Sequence, residues 1–302
     1  MSVPDLVTAQ RAIPPEVLRV VKQVEIKARI LADQALLGTY RSVFRGSGLD
    51  FEEVREYEPG DDIRSIDWNV TARMRTPYIK KYREERELNI FLAVDVSASS
   101  WFGSGTVSKR ELAADVAALL AVTALHNNDR VGLLLFADGV REFIPPRGGR
   151  PHLYSLIRRL LFAEPRRSGT ELASATEFIG HITKKRNVVF VISDFLDFEF
   201  EAPLRMLAHK HDVVALILND RRELELPAVG VVGLEDAETG RMTYVDTARA
   251  DVRESYAHAA RERRAQRLRT FSRMGLDRLD LFTDRPYVPA LLALFNARSK
   301  RN

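Results

Sequence analysis

Cysteine is absent from the 302-residue chain, which excludes disulfides, thiolate zinc sites and cysteine nucleophiles. Histidine is sparse, and His126, His152, His181, His209, His211 and His258 show no zinc-protease spacing. His209-Lys210-His211 reads as the surface end of a helix. No glycine-rich loop of the Walker type is present, so any nucleotide chemistry would belong to a partner. Long apolar runs are missing too: the most apolar helical stretch, Ala113 to Leu125, is interrupted by Asp115 and is too short to span a bilayer. The start, Met1-Ser2-Val3-Pro4-Asp5, lacks a basic segment followed by an apolar core, which predicts a cytoplasmic, soluble chain with no membrane span. Repeats and low-complexity segments are absent. So is any large charge excess, because 46 basic residues nearly match 42 acidic ones and the net charge is +4, which does not argue for nucleic acid.

What is present is a globular composition, 45% hydrophobic and 29% charged, sufficient for one large domain or two modest ones. The chain is organised around Leu88 to Ser100. There an apolar run rich in branched residues ends abruptly in Asp95, followed by Ser97, Ser99 and Ser100. That pattern predicts a strand buried on both faces that delivers its polar groups at its C-terminal end, where open α/β sheets place their chemistry.

Around this strand the elements alternate. Apolar positions at helical spacing predict an amphipathic helix from Pro14 and Pro15 to about Leu37. Gly38 to Glu87, with scattered aromatics and the turn Pro59-Gly60-Asp61-Asp62, reads as short strands and loops. Ser108-Lys109-Arg110-Glu111 has capping-box spacing and starts a helix to about Leu125, closed by Asn127-Asn128. Arg130 to Phe136 is a strand, with Val140 to Ile144 as an antiparallel edge partner ended by Pro145 and Pro146. Helices over Leu153 to Phe162, Leu172 to Ile182 and Pro203 to His209 alternate with strands over Asn187 to Ser193 and Asp212 to Leu218. A strand at Leu279 to Phe282 and a helix from Pro286 to about Ala297 follow. The alternation implies an α/β fold with a doubly wound, mostly parallel sheet flanked by helices. Val231 to Leu234 and Met242 to Val245 form a β-hairpin insertion, and Ala248 to Met274 is an arginine-dominated helix read as a solvated face with Glu254 and Glu262 as partial partners. The expected organisation is an N-terminal helix and β-rich segment over 1–87, then the main domain over 88–298, with the hairpin insertion at 223–247 and the arginine-rich helix at 248–274.

If the sheet is parallel, Asp95 and Asp194 emerge on one rim, with Ser97 and Ser99 in the adjoining loop and Thr170 in a glycine-bearing loop able to reach the same crevice. Two carboxylates and three hydroxyls suit a hard cation, Mg2+ first, with Mn2+ or Ca2+ as alternatives. Direct ligands that are largely neutral hydroxyls would leave the cation short of negative charge, which favours a carboxylate supplied by another molecule. The same residue types are common as helix caps and turn formers at strand ends; the five together favour the metal reading.

Asp95-x-Ser97-x-Ser99 with Thr170 and Asp194 resembles the metal-ion-dependent adhesion site of von Willebrand factor A domains. The text from Arg55 to Trp68 (Arg55-Glu56-Tyr57-Glu58-Pro59-Gly60-Asp61-Asp62-Ile63-Arg64-Ser65-Ile66-Asp67-Trp68), together with Asp129 to Phe136, Ser193-Asp194-Phe195 and Asp236 to Gly240, resembles the signature of the family catalogued as domain of unknown function 58. The similarity runs from about Val24 to Arg298. It implies an A-type fold with an added N-terminal segment, Ser97, Ser99 and Thr170 as direct metal ligands, Asp95 and Asp194 as ligands directly or through water, and association with MoxR-type AAA+ ATPases. Ser100 stands where many members have methionine and is not a ligand position. Many relatives carry membrane helices that this chain lacks.

Two functions follow as expectations. The first is a non-enzymatic adaptor that binds an acidic side chain of a protein partner, a MoxR-type AAA+ ATPase or its client, through bound magnesium. The alternative is a Mg2+-dependent phosphohydrolase using Asp95, although the second acid such an enzyme carries two positions after its nucleophile is here Ser97. For Asp61 to Trp68 the structural reading has Trp68 supplying buried area and Arg64 or Arg73 pairing with Asp62 or Asp67; the functional reading is a second recognition surface.

Overall fold

Helix α1 (Pro15–Leu31) continues through a π-helical turn, Ala32–Leu36. A small unit follows: strand β1 (Asp50–Glu56), a 3-10 turn (Ile63–Ser65), helix α2 (Trp68–Met74) and strand β2 (Tyr78–Arg83), which pairs antiparallel with β1. The main domain then alternates β3 (Asn89–Asp95), α3 (Lys109–His126), β4 (Arg130–Phe136), β5 (Val140–Arg147), α4 (Arg150–Phe162), α5 (Leu172–Ile182), β6 (Val188–Ser193), α6 (Glu201–Lys210) and β7 (Asp212–Asn219). A separate hairpin, β8 (Val231–Glu235) with β9 (Met242–Asp246), precedes α7 (Ala250–Met274), β10 (Asp277–Phe282) and α8 (Val288–Ser299). The structure is a computed structural model that describes residues 15–36, 40, 43–44, 50–83, 87–164, 169–196, 198–237 and 239–301. Met1 to Asp5, Pro14, Leu37, Pro165 to Ser168 and Glu238, all used in the sequence reading, lie outside the described residues.

The main sheet has the order β10-β7-β6-β3-β4-β5, parallel throughout except for the antiparallel edge strand β5. Side chains alternate between two layers with the period of two that a strand imposes. Ile90, Leu92 and Val94 of β3 pack with α1, α3, α4 and α8. Phe91 and Ala93 face the opposite layer, with α5, α6 and Phe271 of α7. Burial on both faces is why the central strands read as continuous apolar runs rather than alternating ones. Helix α1 shares the first core with Tyr40, Val43 and Phe44; the Tyr40, Phe44 and Phe295 rings touch one another, and Phe44 also meets Phe190.

Strand β5 runs through Pro145 and Pro146 to Arg147 instead of stopping before them. An edge strand tolerates proline because its outer side needs no ladder donor, and Gly132 on β4 makes room: a Cβ there would lie 3.0 Å from the Pro146 ring.

Three further expectations are corrected here. The segment from Gly38 to Glu87 contains a two-turn helix, α2, because Asp67 caps it by accepting from the N–H groups of Asn69 and Val70. Trp68, expected to be buried, is 68% exposed, and Arg64 and Arg73 form no ion pair with Asp62 or Asp67. Those two carboxylates serve backbone N–H groups instead.

The third concerns His211, which is buried rather than at the surface, because β7 enters the sheet immediately after it. Its Nδ1 accepts from the Asn187 N–H at 3.3 Å and its Nε2 meets the Thr183 hydroxyl at 3.0 Å. Since the Thr183 hydroxyl donates to the Ile179 carbonyl, the neutral Nε2–H tautomer satisfies every group. Burial, then Lys210 and Arg186, pull the His211 pKa down to about 4. The unfolded chain therefore binds a proton through a range in which the folded one does not. Stability from this group is complete above about 6.5 and is lost as pH falls toward about 4, by up to roughly 3 kcal/mol. Urea unfolding at pH 7.5 and pH 4.5, taken as wild type minus His211→Gln, is expected to show that slope; parallel curves would contradict it.

Candidate functional site

Strands β3 and β6 lie side by side, although β3 is followed in the chain by β4 on its other flank. The strand order therefore reverses between them, and crevices in doubly wound sheets open at that switch point, beyond the carboxyl ends. Asp95 ends β3 and Asp194 follows the last residue of β6, so the topology brings the two carboxylates to one place.

Asp95 is 2% exposed. Its Oδ1 accepts from the Ser97 N–H at 2.9 Å, which turns the chain into the short 3-10 segment Ala98–Trp101. Its Oδ2 accepts from the Ser193 hydroxyl at 2.7 Å. The hydroxyls of Ser97 and Ser99 lie 3.1 Å apart, and Ser100 ties the turn by donating to the Ser97 carbonyl at 2.7 Å. Asp194 Oδ1 accepts from the Leu196 N–H at 3.2 Å. The residue between them, Phe195, holds a left-handed φ of 50°, a conformation that a bulky side chain keeps only when packing enforces it. Its ring is held edge-on against Phe200 and Phe271.

Thr170 is half-buried ahead of α5 and makes no hydrogen bond to the other four residues. Its neighbour Glu171 donates its N–H to the Ala137 carbonyl at 2.6 Å, which fastens that loop to the carboxyl end of β4. The structure thus joins Asp95, Ser97, Ser99 and Asp194 directly and places Thr170 on the same edge of the sheet.

Sequence reasoning missed a cation. Lys109, the first residue of α3, is 0% exposed, and its Nζ donates to Asp194 Oδ2 at 2.8 Å and to Glu223 Oε1 at 2.5 Å. Arg267 of the arginine-rich helix is also buried; it donates to the Asp194 carbonyl and, at 2.6 Å, to Asn219 Oδ1, which corrects the solvated-face reading at that residue. Asp220 is a second missed residue. It accepts from Ser104 N–H at 3.0 Å, Ser104 Oγ at 2.5 Å, Arg222 N–H at 2.8 Å and Thr283 Oγ1 at 2.8 Å, so that one carboxylate ties the loop after β3 to the ends of β7 and β10.

The charges are unevenly met. Burial acts to raise the Asp194 carboxyl, but Lys109 and then Ser99 outweigh it and hold it below the usual range. Burial acts to lower the Lys109 ammonium, and the two carboxylates more than compensate. Asp95 has no cationic partner among the described residues. Burial, then the Asp194 charge, push its carboxyl up to about 6 in spite of the bonds from Ser193 and Ser97.

Among the described residues no group of three or more His, Cys, Asp or Glu could hold a metal unaided, so a cation here would depend on the hydroxyls. The donor chemistry fits a hard cation: it is all oxygen, with two adjacent hydroxyls beside a buried carboxylate that lacks a counter-charge. No helix among the described residues is long and apolar enough to cross a membrane.

The chain is similar to known proteins in sequence and in structure. The model of the family described as "Protein of unknown function DUF58" matches residues 53–266. The chain is 34% identical over 293 residues to the uncharacterized protein Rv1480 of Mycobacterium tuberculosis, covering 95% of this chain and 91% of that protein. It is 28% identical over 110 residues to the uncharacterized protein YeaD of Bacillus subtilis, covering 36% of this chain and 25% of that one. Among solved structures, the conserved hypothetical protein BatB from Bacteroides thetaiotaomicron is similar with a TM-score of 0.47 and 17% identity, over 70% of this chain and 99% of that one. The SpRpn10 VWA domain is similar with a TM-score of 0.37 and 11% identity, over 70% and 95%.

Proposed function

Given that the chain belongs to the DUF58 family, we propose that it is a non-enzymatic adaptor that docks an acidic side chain of a partner protein through a divalent cation. The carrying observation is the cluster itself: Asp95, Ser97, Ser99 and Asp194 converge at the switch point, and the Lys109 ammonium beside them is spent on Asp194 and Glu223. Ser97, Ser99 and Thr170 would hold Mg2+ directly, with Asp95 and Asp194 bound directly or through water; Mn2+ and Ca2+ are the alternatives. The bound ion would supply an electrophilic position for a carboxylate from outside. Neutral hydroxyls leave that position demanding negative charge, and the fixed turn at Ser97 to Ser100 keeps the donors in place before the ion arrives. In keeping with the family resemblance, the partner is a MoxR-type AAA+ ATPase or a client of one, met in the cytoplasm.

The alternative chemistry, phosphoryl transfer to Asp95, is less well supported. A nucleophile must reach phosphorus in line, whereas both Asp95 oxygens already accept hydrogen bonds and the residue is 2% exposed.

Calorimetric titration with MgCl2 is expected to give one site in the wild type and a loss of at least about tenfold in affinity for Asp95→Ala. Pull-down in magnesium and in chelator, with both proteins, should retain a partner only for wild type in magnesium. No heat of binding and no magnesium-dependent partner would overturn the proposal. So would magnesium-dependent phosphate release that Asp95→Asn abolishes.

A further inference from the structure

The signature segment after β1 is a closely bonded frame. Three of its carboxylates are taken up by bonds within the segment. Asp61 accepts from the Arg55 guanidinium at 2.7 Å and the Glu58 N–H at 2.9 Å, Asp62 caps the 3-10 turn through the Arg64 N–H at 2.9 Å, and Asp67 caps α2. The chain is then clamped to β2, because Asp67 N–H donates to the Tyr78 carbonyl at 2.8 Å and Tyr78 N–H to the Thr71 hydroxyl at 2.9 Å. A frame this fully bonded needs nothing more from its neighbours.

The exposed side adds aromatic, aliphatic and cationic groups. Trp68 is exposed, as are Ile63 at 66% and Met74 at 58%, and α2 buries none of its residues. Arg64, Arg73 and Arg75 are exposed and form no ion pair among the described residues. Arg75 is moreover held at a left-handed φ of 62° as the C-cap of α2, a place where glycine is the unstrained choice. Exposed tryptophan, arginine and methionine along one short segment are the residue types that interfaces concentrate, and a rigid frame removes the ordering penalty that weakens docking.

We propose that Ile63 to Arg75 is a docking surface for a protein segment that presents carboxylates around an apolar pocket, with Trp68 as the anchor entering the pocket and the three guanidinium groups receiving the carboxylates. The observations favour a protein over a single-stranded nucleic acid. Tryptophan and arginine would serve either, but Glu56, Glu58 and Asp62 are exposed in the same segment and would repel a continuous line of phosphates, whereas a protein can place neutral groups opposite them. Ile63 and Met74 add aliphatic surface that base stacking does not use.

The test uses the full chain, and its titrations are run in chelator, which leaves the cation site out of the affinities. A photoreactive benzoylphenylalanine replaces Trp68 in cells and, as a control, replaces the equally exposed Tyr244 on β9. A protein captured at position 68 and not at 244 is purified and titrated against the chain by following tryptophan fluorescence. Trp68→Ala is expected to weaken binding about 30-fold, and the triple variant Arg64→Glu, Arg73→Glu, Arg75→Glu to weaken it comparably, with the wild-type affinity falling as salt rises. All four positions are at the surface, so the variants should fold, which thermal melting verifies. Four results would overturn the proposal: no protein captured at 68, capture of a second copy of this chain, a captured protein whose affinity neither variant changes, or displacement of that protein by a single-stranded DNA oligonucleotide.

Discussion

Replacing Lys109 with methionine is expected to lower stability by about 3–5 kcal/mol, a fall of roughly 10 °C in melting temperature. Methionine matches the length of the lysine stem but leaves Asp194 and Glu223 facing each other without the ammonium between them. Asp194 is the more affected because it is buried and its carboxyl is ionised chiefly through Lys109. Deleting one member of a buried ion group is far more damaging than replacing the whole group, since the remaining charge can neither reach water nor find a partner. The double variant Lys109→Met, Asp194→Asn should therefore lose less than the sum of the single losses, and a double-mutant cycle reads that coupling. The proposed cation site adds a second expectation. With Lys109 gone, Asp194 is released to the cation, so magnesium should raise the melting temperature of Lys109→Met by more than it raises that of wild type. A melting temperature within about 2 °C of wild type without metal would sink the buried-triad account. Equal magnesium shifts in the two proteins would confine Lys109 to a structural role.

How much of this was legible in the sequence depended on the range of the interaction. The strand that ends in Asp95, the capping box of Ser108 and Glu111 and the hairpin around Gly240 are local patterns, and each is found where the pattern put it. The doubly wound, mostly parallel character of the sheet needed only the alternation of elements, whereas its strand order is not contained in that alternation. The contacts that complete the site are not local. Lys109 meets residues 85 and 114 positions away, and Arg267 reaches back 73 positions to Asp194. In sequence both look like ordinary charged residues on amphipathic helices. One signal was available for Lys109: it stands at the first position of a helix, where the macrodipole disfavours a cation, so a carboxylate in front of that helix end could have been suspected. Trp68 misled for the opposite reason. Aromatic area normally argues burial, but nothing in a seven-residue helix reveals that only Val70 and Thr71 turn inward and that Trp68 stays outside.

Asp220→Ala should cost about 3 kcal/mol and, unlike the lysine variant, its damage should be localised. Asp220 is 0% exposed and accepts from donors on three separate loops, so alanine strands Ser104 N–H, Arg222 N–H and two hydroxyls in a site with no replacement acceptor. Asp220→Asn keeps the shape, but its amide NH2 faces a donor whichever way it turns, because each carboxylate oxygen already receives two. Burial acts to raise the Asp220 carboxyl, yet Ser104, Arg222 and Thr283 outweigh it and the net shift is downward. The sign follows. The contribution is complete above the ordinary carboxylate range and is lost as pH falls through the depressed value, so wild type and Asp220→Asn should converge in acid. Hydrogen exchange at pH 7 distinguishes a latch from a generic core defect: protection should drop in Gly103 to Val107, in Arg221 to Glu225 and at Thr283, while β3 and β6 stay protected. Uniform loss across the sheet would reject the latch. Local loss would carry a consequence for docking, because the Ser104 loop continues directly from Ser97 and Ser99, and the segment held by Asp220 also supplies the Glu223 that positions Lys109. A carboxylate that touches no ligand would then set how firmly the hydroxyls are presented, and magnesium affinity should fall with it.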